Sequence, residues 1–152
     1  MIPAVRIQRE DFDVAAEIEA LSAGRMDTGA VASFIGLCRD ESGRLSALEL
    51  EHYPGMAEAE MSRVAEQAAS RWPLIGLTVI HRFGLIRPGE RIVLVLASSS
   101  HREAAFAAAE FLMDFLKTHA PFWKREHLRT GELGPWVDAK AADDVAASRW
   151  ER

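Results

Sequence analysis

Apolar residues at Ala57, Met61, Val64, Ala65, Ala68 and Trp72 recur at spacings of three and four, which predicts a helix with one buried face that Pro73 stops. The same period over Ala105, Ala108, Leu112, Phe115 and Leu116 predicts a second long helix, reaching about His119 and closed by Pro121. Ser100 followed by Glu103 reads as its capping box. A period of two governs Leu48 to Glu51, where leucines alternate with glutamates, so a half-buried strand turns its acids to solvent. Ala30 to Cys38 is small, apolar and β-compatible. Leu77 to Phe83 and Arg91 to Ser98 are β-rich runs joined through Arg87-Pro88-Gly89-Glu90, the pattern of a hairpin. A short first strand at Ala4 to Gln8 and a helix near Asp13 to Leu21 precede a loop at Gly24 to Gly29. Strands at Phe122 to His127 and Trp136 to Ala139 around a Gly-rich loop, then a terminal helix at Asp143 to Trp150, complete the chain. Helices separated by mostly antiparallel strands make an α+β domain, and no linker or repeat divides residues 1–152.

Composition narrows the class. With 152 residues, 49% of them hydrophobic, the chain is long enough to bury a core without staples, and disorder is excluded. Cys38 is the only cysteine, so a disulfide scaffold is excluded and a reducing, cytoplasmic setting is expected. The longest apolar runs, Ile92 to Ala97 and Ala104 to Ala109, fall far short of the ~20 residues of a membrane span. Charges at Arg6, Arg9, Glu10 and Asp11 leave no room for a secretory signal. A net charge of −5 argues against general nucleic-acid binding.

Common catalytic motifs are absent: there is no phosphate-binding glycine loop, no nucleophile elbow and no His-Glu-x-x-His. The five histidines lack metal-ligand spacing, so no metal is expected. The chemistry that stands out is basic. His101 and Arg102 open the long helix, where cations are electrostatically misplaced unless an anion arrives to share the field. Lys117, Lys124, Arg125 and Arg129 outweigh Glu126 in one short segment of an acidic protein, which points to an anionic ligand. Arg39 ends a strand before a polar loop, a frequent place for a binding residue. Alternation sends Trp123 and Lys124 to opposite faces. Cys38 reads as a small core residue rather than a reactive thiol.

Several of these residues fall into a longer series of motifs. Phe34-Ile35-Gly36-Leu37-Cys38-Arg39, Leu50-Glu51-His52-Tyr53-Pro54-Gly55-Met56, His81-Arg82-Phe83-Gly84, Pro88-Gly89-Glu90, Ser100-His101-Arg102, Leu116-Lys117, Ala120-Pro121-Phe122-Trp123-Lys124-Arg125-Glu126 and Trp136-Val137 follow one another in order. In that order they closely resemble the large, catalytic subunit of molybdopterin synthase, in register from about Gly29 to Trp150.

The resemblance implies an α/β-hammerhead-like domain with an additional antiparallel sheet, and a sulfurtransferase of molybdenum cofactor biosynthesis. The implied reaction converts cyclic pyranopterin monophosphate into molybdopterin, with its dithiolene. The implied sulfur donor is a small ubiquitin-like sulfur-carrier subunit whose Gly-Gly tail ends in a thiocarboxylate. Two large subunits would form a homodimer at the centre of a heterotetramer, with no cofactor, nucleic acid or membrane involved. Carried over residue by residue, Lys117 and Lys124 are the catalytic pair. Arg39, His101 and Arg102 bind the anionic pterin, Phe34 and Met113 line its pocket, and Lys140 reaches it from the neighbouring protomer, at a position where close relatives carry Arg. A non-catalytic anion-binding module for a nucleotide or RNA accounts for the basic cluster but not for the motif series. A homologue that kept the dimer and lost the activity would need a damaged pocket, and both lysines are present.

Overall fold

The computed structural model describes residues 1–119 and 122–138. Lys140, Ala139 and the expected helix at Asp143 to Trp150 lie outside the described residues. The elements run β1 (Ala4–Gln8), α1 (Val14–Ser22), β2 (Ala30–Leu37), β3 (Leu45–His52), α2 (Met56–Arg71), β4 (Leu74–Arg82), β5 (Gly84–Ile86), β6 (Arg91–Ser99), α3 (Arg102–Thr118) and β7 (Phe122–Leu128). They form the expected α+β architecture with two sheets: β1-β4-β6-β2 and, beside it, β5-β3-β7. Every pairing is antiparallel except that of β1 with β4.

The central strands β4 and β6 are buried over seven consecutive residues each, because helices cover both faces of the main sheet. On one face Met61, Val64, Ala65 and Ala68 of α2 and Ala105, Ala108, Phe111 and Leu112 of α3 meet Leu77, Val79, Val93, Val95 and Ala97. On the other, Val14, Ile18 and Leu21 of α1 pack on Phe12, Ile80, Leu94 and Leu96. Each large side chain removed from water here contributes about 1.5–3 kcal/mol. Asp13 caps α1 by accepting from the Ala16 N–H, 3.1 Å away. α2 starts at Gly55, whose N–H donates to the Glu58 carboxylate.

Three expectations change in detail. β4 and β6 do pair, but the chain does not turn directly between them. At Gly84, where φ is +90°, it leaves the main sheet, contributes β5 to the second sheet opposite Leu48 to Leu50, and returns through the Pro88-Gly89 turn. Ser100 does not cap α3. The cap position is His101, whose N–H is 3.4 Å from the Ser99 hydroxyl, while the Ser100 hydroxyl donates to the Asp27 carbonyl. The segment from Trp136 is a single bridge, not a strand: Val137 and Lys124 exchange both backbone hydrogen bonds, at 2.8 and 3.1 Å.

A third cluster, Cys38, Leu45, Leu50 and Ile86 with Leu48, Phe83 and Ile92, fills the seam between the sheets. Cys38 is the core residue expected of it, its thiol facing the Ile86 carbonyl at 3.7 Å. Burial pushes that thiol up, away from the reactive thiolate form.

Candidate functional site

A cavity of about 500 Å³ opens along the seam. The end of β2 supplies Phe34 and, just beyond the strand, Arg39. The last turns of α3 supply Met113 and Lys117, which are four residues apart and therefore stacked on one side of the helix. β4 supplies His81 and β7 supplies Lys124. Lys124 stands opposite Leu50 of β3 and is clamped on its other edge by Val137, so its backbone is held on both sides. The alternation along β7 holds: Lys124 shares a face with Leu48 and Leu50, whereas Trp123 and Arg125 share the other with Glu49 and Glu51.

That alternation divides the basic segment. Arg125 also borders the cavity, but its guanidinium donates to Glu49 at 2.8 Å and lies over the Trp136 ring at 4.6 Å. His127 meets the same Glu49 oxygen at 2.8 Å, and the two partners hold the Glu49 carboxyl below its usual range. Arg129 faces Asp40 at 3.7 Å. Lys117, Lys124 and Arg39 border the cavity together with Arg125 and give it its positive character. Arg39 pairs with Glu41 on the surface, and an exposed pair of this kind contributes little and yields readily to a ligand.

Five of the expected site residues thus converge: Phe34, Arg39, Met113, Lys117 and Lys124. His101 and Arg102 do not join them within the chain. They line a shallow depression at the opposite end of α3, with Gly29, Ala30 and Glu103, about 22 Å from Lys117 at the rise of an α-helix. Both side chains are exposed and neither forms an ion pair with a described residue.

The sequence reading did not single out His81 as a site residue. The ring is buried, lines the cavity and lies flat on Phe122, with centroids 3.8 Å and planes 18° apart. Its one sequence signal was the motif His81-Arg82-Phe83-Gly84. Among the described residues no group of three or more His, Cys, Asp or Glu is placed to hold a metal ion, and no helix is long and apolar enough to cross a membrane.

A reaction that develops negative charge fits this geometry, because lysines and arginine around a half-enclosed space stabilise such charge. Comparison with known proteins shows the family. The sequence model of the MoaE protein family matches residues 7–119. The molybdopterin synthase catalytic subunit of Mesorhizobium japonicum is 69% identical over 151 residues, covering 99% of this chain and 95% of that protein. Among solved structures, the molybdopterin biosynthesis MoaE protein from Burkholderia ambifaria superposes with a TM-score of 0.85 at 46% identity, covering 99% of each chain. The crystal structure of molybdopterin synthase from Staphylococcus aureus gives 0.77 at 28% identity, covering 86% of this chain and 94% of that one.

Proposed function

Given that this chain belongs to the MoaE family of molybdopterin synthase catalytic subunits, we propose that it moves sulfur from a partner's carboxy-terminal thiocarboxylate onto cyclic pyranopterin monophosphate, in the cytoplasm. The enzyme is a sulfurtransferase of molybdenum cofactor biosynthesis, acting in molybdopterin formation. The observation that carries the finer reading is the meeting of Lys117 and Lys124, from α3 and β7, in one cavity.

In this reading the Gly-Gly tail of a small ubiquitin-like subunit enters the cavity beside Lys117. Its sulfur attacks a pterin carbon and displaces an oxygen substituent there, and the Lys117 ammonium stabilises the negative charge that develops. Water then cleaves the acyl–sulfur bond, leaving a thiol on the pterin and a carboxylate on the tail. Lys124 binds the substrate or exchanges a proton with it. Phe34 and Met113 give the heterocycle an apolar wall, and Arg39 faces its anionic group. Cys38 is buried and its thiol disfavours ionisation, which supports a partner rather than this chain as the sulfur source.

The distance between the two basic clusters supports the central homodimer. β2 is an edge strand of the main sheet, and Val31, Phe34, Ile35 and Leu37 along it are exposed. Its Ala30 end adjoins His101 and Arg102, and its Leu37 end adjoins the cavity. Antiparallel pairing of β2 with the same strand of a second copy sets the Ala30 end of one against the Leu37 end of the other. A twofold dimer of this kind adds His101 and Arg102 of one protomer to the lysines of its partner, completing a site that also binds phosphate. Lys140 joins it from the neighbouring protomer in the same reading. A nucleotide- or RNA-binding module is not favoured by the family assignment.

Reconstitution tests the reading. The chain, a thiocarboxylated small subunit and cyclic pyranopterin monophosphate should together yield the dithiolene, and omission of the small subunit should abolish it. Turnover without a donor protein would overturn the proposal.

A further inference from the structure

His81 borders the cavity with one of its ring nitrogens already committed. Its Nδ1 lies 2.8 Å from the Arg82 carbonyl oxygen. A carbonyl only accepts, so Nδ1 carries the ring proton and Nε2 carries the lone pair. Nε2 has no partner among the described residues, and the ring, 9% exposed, borders the cavity. Phe122 fixes the plane of the ring by stacking on it, and His52 packs against Phe122 as well, at 5.8 Å. Two contacts therefore hold the imidazole in one orientation and one tautomer.

Protonation does not convert this acceptor into a donor near neutrality. Burial pushes the His81 pKa down to about 4; the Arg82 carbonyl opposes the shift, and the charges of Lys117 and His52 add to it. The cationic side chains on the lining have the opposite character. Arg39, Lys117 and Lys124 are donors with no lone pair to offer, and the carboxylates on the lining, Glu126 and Asp138, are solvent-exposed. A ligand bound by the cations alone satisfies its acceptors and leaves any N–H it carries without a partner, a loss of about 1–3 kcal/mol for each such group buried.

We propose that His81 is a specificity-determining residue of this cavity, whose Nε2 accepts a hydrogen bond from a ring or amide N–H of the heterocyclic substrate while the cations hold its anionic group. This rests on the pterin reading above. It assigns the cavity two kinds of recognition, charge for the phosphate-bearing end and a single oriented acceptor for the heterocycle. A site that hydrogen-bonds a particular N–H rejects analogues lacking it far better than an apolar wall does.

Three variants separate the acceptor from the stack. His81→Gln places an amide oxygen near the position of Nε2. His81→Asn reaches only as far as Nδ1, and His81→Phe keeps an aromatic ring on Phe122 with no acceptor. Binding of cyclic pyranopterin monophosphate is measured by calorimetry on the protein without its sulfur donor, and KM and kcat on the reconstituted enzyme. The expected result is weakening by about tenfold for Asn and Phe, with recovery in Gln and a loss that falls on KM more than on kcat. Parental binding by Asn or Phe, or equal loss in Gln and Asn, would overturn the assignment. Nitrogen-15 spectra of the parent provide an arm that needs no variant: they should show a bare Nε2 whose resonance moves when the pterin is added, and a proton found on Nε2 would also overturn it. A parent that binds no pterin at all would instead overturn the substrate reading on which the proposal stands.

Discussion

Arg102 and Lys117 occupy opposite ends of α3, about 22 Å apart at 1.5 Å per residue, and both reach solvent. No bound molecule the size of a pterin monophosphate touches both within one chain, so a shared role requires two chains. Mixing Lys117→Ala and Arg102→Ala proteins, each weak alone, should restore activity. Random exchange of subunits gives half mixed dimers, each with one intact composite site, and so about a quarter of the parental rate. Absence of complementation after verified exchange would mean that the two residues do not share a composite site.

The two residues should also fail differently. Lys117→Ala removes charge stabilisation of the reacting atoms and should lower kcat by about a hundredfold or more, whereas Arg102→Ala should chiefly raise KM. Both side chains are exposed at the ends of a helix, so neither change leaves a cavity, and melting temperatures should stay within a few degrees of the parent. Near-parental kcat for Lys117→Ala would move the catalytic assignment to Lys124.

Gly29 stands where β2 meets the start of α3. A Cβ there would lie 2.0 Å from the Ser100 carbonyl oxygen, and backbone meeting backbone leaves neither side free to yield. Gly29→Ala should therefore destabilise by roughly 2 kcal/mol, a fall in Tm of about 5 °C, and should disturb His101 and Arg102 along with it. Calorimetric melts together with substrate KM would check both effects, and an unchanged Tm would contradict the packing described.

Stability should fall between neutral pH and pH 4. The His81 pKa is about 4 in the folded protein and near 6.5 when unfolded, so across that window the unfolded chain binds a proton that the native one refuses. The sign favours unfolding as pH drops, by up to about 3 kcal/mol. Glu49, held low by His127 and Arg125, adds a further loss at still lower pH. Denaturant titrations from pH 7 to pH 4 should show the decline, and His81→Phe should flatten its upper part.

The sequence made some of this legible and not the rest, for physical reasons. α2 and α3 were readable because an amphipathic helix repeats its signal over four turns, and Ala57, Met61, Val64, Ala65 and Ala68 are all buried. Lys117 and Met113 are four residues apart, a spacing visible in the sequence that stacks them on one side of α3. β5 carries three residues, too few for any period, and it forms only because Leu48 to Leu50 offer it an edge. Ser100 matched a capping signature, yet pairing of Ser99 with Ala30 at the end of β6 brings the Ser99 hydroxyl to the His101 N–H instead. The division of the basic segment into two faces was half visible: alternation separates Lys124 from Arg125, but the Glu49 that holds Arg125 is distant in sequence. Nothing local marks His101 and Arg102 as belonging to the far end of α3 from the lysines, since proximity across a subunit boundary leaves no trace in spacing.

The pairing of β7 with β3 also sets when the site comes into being. The Arg125 to Glu49 contact spans 76 residues of chain, and closure of so long a loop waits until β7 has been synthesised. A nascent chain that has emerged through α3 already holds the main sheet's strands and carries Lys117, but one wall of the cavity is missing and Leu48 and Leu50 are uncovered. Unfinished or prematurely released copies therefore lack the enclosed cavity, and on the proposed reading they offer a donor's tail no place to bind.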